Sequence, residues 1–155
     1  MKAFIFSVIL TGFSFIILSN SVMANDCDEF CQLEQVNAYF SALDKVAKKG
    51  STSSDVDALL DLTHDDVKYV HVQYEANFTK DSWRKAFLRN IELSRYQKTD
   101  KNQIRILNSI AGKNHLAIEY SHGFIQENGD WEKTEKYLAI FGFTDGRLSL
   151  IKELW

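Results

Sequence analysis

Two short stretches of this sequence place a histidine two residues after a tyrosine, in segments that have the composition of β-strands. Tyr69 precedes His71, and Tyr120 precedes His122. Because alternate residues of a strand point to the same side, each pair is expected to share one face of a sheet. An imidazole with a pKa of about 6.5 is a natural general base at neutral pH, and a phenol can donate a hydrogen bond to a developing oxyanion. The pairs therefore favour proton transfer on a small molecule, such as dehydration or isomerisation.

Further residues extend this set. Tyr39 lies on the apolar stripe of the first predicted helix, so it is either a hydrogen-bond donor to a substrate or a core residue. Glu153 lies on the last predicted strand and could orient an imidazole if it points inward. We take His71, Tyr39 and His122 as the candidate catalytic residues. The expected ligand-binding residues combine bulk with a few hydrogen-bonding groups: Tyr69, Trp83, Ile118, Tyr120, Tyr137, Glu153 and Trp155.

Both histidines also have structural explanations. His71 can be a hydrogen-bonded residue of the inner face, and His122, next to Gly123, can lie at a β-bulge near the rim of the sheet. Two histidines with a carboxylate form a known metal-binding triad, but these come from separate strands with no ligand spacing to test. No metal and no cofactor is predicted.

The composition and the missing motifs exclude several classes of function. The 155 residues include 21 acidic and 18 basic side chains and no proline, with a formal net charge of −3. Because no basic run is present, the chain is not expected to bind nucleic acid. The sequence also has no Gly-rich phosphate loop and no nucleophile elbow.

The N-terminus has the pattern of a cleaved leader. A positive Met1–Lys2 is followed by an apolar stretch over 3–18 and by Val22–Met23–Ala24, which suits signal peptidase. The apolar stretch is shorter than the roughly 20 residues of a spanning helix, so cleavage after Ala24 is favoured over an uncleaved anchor. We expect residues 1–24 to be the signal peptide and 25–155 to form one domain, which is secreted or periplasmic and has no stable membrane anchor.

The only cysteines, Cys27 and Cys31, lie just after the expected cleavage point. Export makes a local disulfide plausible, with free thiols or intermolecular pairing as alternatives. In a regular helix, Cβ atoms four residues apart are about 5–6 Å apart, whereas a disulfide needs about 3.8 Å. A bridge therefore requires a distorted or non-helical first turn.

Periodicity predicts helices first and strands afterwards. In the strand that carries His71, Tyr69 and His71 share one face and Val72 and Tyr74 share the other. Asn128–Gly129 and Asp145–Gly146 are hairpin signals. The predicted helices span 32–49, 54–62 and 80–96, the last capped by Thr79, and the predicted strands span 67–74, 104–110, 115–126, 131–144 and 147–155. This order indicates an α+β fold, with three N-terminal helices packed on a strongly curved, mostly antiparallel sheet.

The order of elements over 32–155 resembles the nuclear transport factor 2-like superfamily, which includes ketosteroid isomerase, scytalone dehydratase and polyketide cyclase-like proteins. The local cues are Gln35–Phe40 on the first helix, His64–His71 leading into the first strand, and the closing hairpin Phe141–Trp155. The resemblance implies a cone-shaped domain with an internal pocket, and a homodimer packed through the outer sheet.

The same resemblance assigns positions. Tyr39 falls where ketosteroid isomerase has its oxyanion-stabilising tyrosine, and His71 falls about where it has its aspartate base. Ala139 falls where it has a second, protonated aspartate. Because an alanine cannot donate a hydrogen bond, the isomerase reaction itself is not expected.

The leading hypothesis is an exported domain that binds a small, largely apolar molecule in an internal pocket. The first alternative is a cofactor-free lyase or isomerase with His71 as general base and Tyr39, Tyr120 or His122 as its partner. The second is a protein-interaction module that acts through its outer sheet.

Overall fold

The computed structural model describes residues 27–155. The predicted leader, residues 1–24, lies outside this range. Within the described range, no helix is long and apolar enough to cross a membrane.

Three helices precede or interrupt a single six-stranded sheet, as predicted for an α+β fold. The elements are α1 (Glu29–Val46), α2 (Ser53–Asp61), β1 (Thr63–His71), β2 (Ala76–Thr79), α3 (Lys80–Glu92), β3 (Asn102–Gly112), β4 (His115–Ile125), β5 (Trp131–Thr144) and β6 (Arg147–Glu153). The strand order is β2-β1-β6-β5-β4-β3. The β1–β6 pair is parallel and the other neighbouring pairs are antiparallel.

The first strand and its neighbour differ most from the prediction. β1 begins at Thr63 and ends at His71, and a turn over 72–75 leads into the unpredicted strand β2. Glu75 in this turn has a φ of 50°, a left-handed conformation that ends the extended chain. The predicted continuation of β1 to Tyr74 is therefore wrong.

Two helices are shorter at their C-termini than predicted. α1 ends at Val46 because the next residues turn to a neighbouring loop: the Lys98 N–H donates to the Ala47 carbonyl, and the Lys49 N–H donates to the Lys98 carbonyl. α3 ends at Glu92, two residues before Ser94, whose φ is 51°. At the start of α3, Thr79 is the predicted cap, and its hydroxyl accepts from the Ser82 N–H.

The hydrophobic core lies between the helices and the concave face of the sheet. All three helices contribute to it, as do inward-facing residues of β4, β5 and β6. Its largest fully buried side chains include Tyr39, Leu59, Leu116, Ile118, Tyr120, Phe141, Leu148 and Ile151.

Cys27 and Cys31 form a disulfide whose Cα atoms are 5.2 Å apart. Cys27 lies outside α1, because Asp28 is the N-cap and its side chain accepts from the Cys31 N–H. The pair thus spans the helix boundary, which is how residues four apart come close enough to bond.

Candidate functional site

A cavity of about 310 Å³ lies between the helices and the concave face of the sheet. Seven of its fourteen lining residues are Phe, Tyr or Trp, so its wall is chiefly aromatic. The lining residues are Tyr39, Leu43, Ala47, Tyr69, His71, Tyr74, Trp83, Phe87, Lys98, Ile104, Tyr120, His122, Glu153 and Trp155.

The strand register brings the polar residues of this wall together. His71 lies opposite Glu153 in the parallel β1–β6 pair, and Tyr69 lies two residues before it on the same side of β1. Glu153 in turn lies opposite Ala139 of β5, whose small side chain leaves room on the inner face.

Glu153 is the centre of a buried hydrogen-bond network. The Tyr69 hydroxyl donates to Glu153 Oε2 at 2.6 Å, and the Tyr120 hydroxyl donates to Glu153 Oε1 at 3.0 Å. The Trp155 indole N–H donates to the Tyr120 hydroxyl at 2.8 Å. The network therefore joins β1, β4 and the chain end after β6 around one carboxyl group.

Burial and the nearby carboxylate keep the phenols of this network protonated. Burial, followed by the negative charge of Glu153, raises the pKa of Tyr69 and of Tyr120 above its usual value. Burial also raises the pKa of Tyr39 well above 10, and its hydroxyl has no hydrogen-bond partner within residues 27–155. All three phenols are thus hydrogen-bond donors rather than bases.

The imidazole of His71 lies beside this network without joining it. Its Nε2 is 3.5 Å from Glu153 Oε2, yet neither ring nitrogen makes a hydrogen bond to a described residue. The ring stacks on Tyr74 and meets the edge of Trp155, both at 4.3 Å between centroids. His71 is 4% exposed, so its ring is held by aromatic packing beside an acid.

His122 reaches the cavity from another part of the wall, and its polar partner is Lys98. Its Nδ1 is 3.4 Å from Lys98 Nζ, which also pairs with Asp44 at 3.3 Å. Burial, and then the Lys98 charge, lowers the pKa of His122 to about 4. The ring is therefore neutral at pH 7, and Nδ1 accepts from the ammonium group, which leaves the proton on Nε2.

The remaining predicted residues divide between the cavity and the core. Trp83 lines the cavity and stacks on Tyr69 at 4.5 Å, and Trp155 lines it as well. Ile118 is fully buried in the core and does not line the cavity. Tyr137 packs against Trp155, with ring centroids 4.3 Å apart, and lies outside the lining. Ile118 and Tyr137 therefore do not line this cavity, because inward-facing residues of a curved sheet can be covered by their neighbours, and their contact with a ligand stays a prediction.

Sequence reasoning missed three polar or aromatic members of the wall, Tyr74, Phe87 and Lys98. Strand alternation predicts Tyr74 on the opposite face of a longer β1, whereas the turn after His71 carries it back onto the imidazole. Lys98 lies in a predicted loop, and its only sequence signal is its charge.

A smaller cavity of about 200 Å³ adjoins the first and shares five of its lining residues, Tyr69, His71, Tyr74, Trp83 and Phe87. It extends toward β2 and the end of α3, where Phe78, Asn90 and Tyr96 line it. Within residues 27–155, no group of three or more His, Cys, Asp or Glu side chains has the geometry of a metal site.

Comparisons with known proteins identify the fold. No protein-family model and no curated protein matches the chain. The epoxide hydrolase/cyclase-like enzyme SalBIII, which acts in pyran ring formation in salinomycin, has a similar structure, with a TM-score of 0.57, 18% identity and coverage of 83% of this chain and 92% of that chain.

Two further structures are similar and contain small molecules. TerC, co-crystallised with polyporic acid, has a TM-score of 0.55 at 12% identity and covers 81% of this chain and 91% of its own. A ketosteroid isomerase-like protein from Catenulispora acidiphila, in complex with trimethylamine, has a TM-score of 0.53 at 15% identity over 79% and 85% of the two chains. The chain therefore has the nuclear transport factor 2-like cone fold, and the predicted fold is confirmed.

Proposed function

We propose that this protein, a nuclear transport factor 2-like cone, binds a small, largely apolar molecule in the cavity between its helices and its sheet. The observation that carries the proposal is the cavity of about 310 Å³, whose wall is chiefly aromatic and whose polar groups converge around Glu153. Small-molecule sites are concave and mostly apolar, with a few polar groups that fix orientation.

The neighbours support a ligand-binding role without specifying the ligand. Polyporic acid and trimethylamine differ greatly in size and polarity, and each occupies a protein of the same fold. A fold that accepts such different molecules leaves the choice of ligand to the side chains of the cavity.

Export is part of the proposal. The leader pattern over 1–24 and the Cys27–Cys31 disulfide both support a secreted or periplasmic location, because disulfides persist in oxidising compartments.

Native mass spectrometry of the protein, purified from the exported fraction of cells that express the full chain, tests both parts. We expect a denatured mass that corresponds to a chain beginning at Asn25, and a native mass higher by one small molecule. Ala47 lines the cavity, so Ala47→Phe should reduce the occupied fraction about tenfold by filling space.

Ala111→Phe is the matched control. Ala111 is exposed on β3, so this variant introduces the same side chain outside the cavity. Equal occupancy in the two variants would count against internal binding. A denatured mass of the full 155 residues would count against cleavage after Ala24.

The position of His71 favours a second candidate, a cofactor-free lyase or isomerase. A buried imidazole with Nε2 3.5 Å from a carboxylate and no hydrogen bond to a described residue is placed to accept a proton from a bound molecule. Glu153 would then stabilise the imidazolium, and the Tyr39 hydroxyl would be the free donor for a developing oxyanion.

Deuterium uptake separates this candidate from binding alone. The co-purified molecule is incubated with the protein in D₂O, and we expect a C–H position of the molecule to exchange with wild type and not with His71→Gln. If His71→Gln exchanges at the wild-type rate, the base role is wrong while binding stands.

A further inference from the structure

Glu153 is an acidic side chain almost fully removed from water, with 5% of its surface exposed. Its oxygens accept hydrogen bonds from the Tyr69 and Tyr120 hydroxyls. These phenols are neutral, so they satisfy the oxygens as acceptors and supply no positive charge. A carboxylate buried in this way normally has a cationic partner, because the transfer of an unpaired charge out of water is costly.

No lysine or arginine within residues 27–155 pairs with Glu153. The lysine of the cavity wall, Lys98, is already paired with Asp44 at 3.3 Å and contacts His122. His71 is the nearest titratable nitrogen, and it makes no hydrogen bond to the carboxylate. Within the described residues, Glu153 therefore has no lysine or arginine partner, and His71, with Nε2 3.5 Å from Oε2, is its one basic neighbour.

The surroundings of this charge are suited to a cation. Tyr69 and Trp83 form a stacked pair with centroids 4.5 Å apart, and the His71 ring stacks on Tyr74 and makes an edge contact with Trp155. The faces of Trp and Tyr rings attract cationic nitrogen, and aromatic cages recognise ammonium groups in this way.

We infer that the ligand of this cavity carries a cationic nitrogen, either a protonated amine or a quaternary ammonium, which is held against Glu153 within the aromatic wall. This inference rests on the proposed function and names the class of molecule that the cavity binds. The apolar part of the ligand would occupy the remaining aromatic and aliphatic wall, which includes Phe87 and Leu43.

Three molecules of nearly the same shape and different charge test the inference: choline, 3,3-dimethylbutan-1-ol and 3,3-dimethylbutanoate. Each is titrated into the purified chain, and the indole N–H signals of Trp83 and Trp155 report occupancy by NMR. We expect choline to bind at least about tenfold more tightly than the neutral alcohol, and the anion to bind most weakly.

Glu153→Gln keeps the shape of the side chain and removes its charge. In this variant, the dissociation constants of choline and the alcohol should lie within about twofold of each other. Glu132→Gln is the matched control, because this carboxyl is exposed on β5, and the preference for choline should survive. If Glu153→Gln does not fold, the order of the three affinities for the wild-type chain still decides whether the cavity prefers a cation.

The outcomes separate the inference from the proposed function. If the alcohol or the anion binds as tightly as choline, the cationic ligand class is wrong and internal binding stands. If none of the three shifts either indole signal at its highest soluble concentration, both the ligand class and the internal site are wrong.

Discussion

His122 shows how two neighbours set the charge of a single side chain. Its ring is partly removed from water and its Nδ1 faces the Lys98 ammonium group at 3.4 Å, so both effects disfavour the imidazolium. At pH 7 the residue is a neutral hydrogen-bonding group of the cavity wall. It is therefore a poor candidate for proton transfer near neutral pH.

This lowered pKa predicts an acid-sensitive contribution to stability. The pKa of His122 is about 4 in the folded chain, against about 6.5 when unfolded. The unfolded chain therefore binds more protons between these values, and the contribution is complete above pH 6.5 and is lost as the pH falls toward 4. Allowing for partial exposure, we expect wild type to lose about 1–2 kcal/mol more than His122→Asn over this range.

Urea denaturation of both proteins at intervals from pH 7 to 4 measures the difference. Asn presents an oxygen where Nδ1 accepts from Lys98, so the variant keeps that contact. The other three histidines are common to both chains and cancel in the comparison. Parallel stability curves would show that the pKa of His122 is not lowered.

At the scale of elements, β5 has one extra residue opposite His122, which forms a β-bulge between these strands. The β4–β5 register shifts between Ser121 and Gly123. Trp131 packs directly over Gly123, and Arg105 Cζ lies over the same indole, 5.0 Å from its centroid. The indole occupies the space that a side chain at position 123 would need, so glycine is required there by packing rather than by backbone conformation.

Gly123→Ala should therefore destabilise the chain. The new Cβ would overlap the Glu132 carbonyl oxygen and the Trp131 ring, and we expect a loss of about 1–3 kcal/mol in the free energy of unfolding. Gly112→Ala is the control, because its nearest neighbour would be the His115 carbonyl oxygen at 3.7 Å, an ordinary contact. Urea denaturation should show a change of less than about 0.5 kcal/mol for the control. Similar losses in both variants would mean that the loss comes from replacing a glycine in a strand and not from the contact with Trp131.

At the scale of the whole molecule, the convex face of the sheet carries an apolar row. Ile110, Ala117 and Ile140 lie opposite one another on β3, β4 and β5, on the face away from the core. Ile110 is 68% exposed. Such a row is suited to burial against a second copy, which is the homodimer that the resemblance implies and which we retain as a proposal.

A charge in this row should dissociate the dimer. We expect Ile110→Lys to raise the dimer dissociation constant at least about tenfold, as measured by analytical ultracentrifugation, because a buried lysine without a partner is costly. Leu93→Lys is the control, since Leu93 is exposed at the end of α3 and away from the sheet. A wild-type chain that is monomeric at all concentrations would contradict the homodimer, and equal effects of the two variants would place its interface elsewhere.

Local signals in the sequence determined the fold class and, to within two residues, most element boundaries. The span of β5 was predicted correctly because the signals that limit it, Asn128–Gly129 and Asp145–Gly146, act on neighbouring residues. Asp145 and Gly146 both have positive φ, as a tight hairpin requires. Alternation within the strands likewise put Tyr69 and His71 on one face, and both line the cavity.

Only the tertiary structure decided how these residues meet. Tyr69 and Glu153 are 84 positions apart, and their hydrogen bond depends on the parallel β1–β6 pairing, which no local pattern indicates. The turn after His71 reversed the position of Tyr74, and the loop after α3 brought Lys98 to His122. Strand periodicity specifies which face a side chain takes, whereas the partner across the cavity is set by strand order, register and the curvature of the sheet.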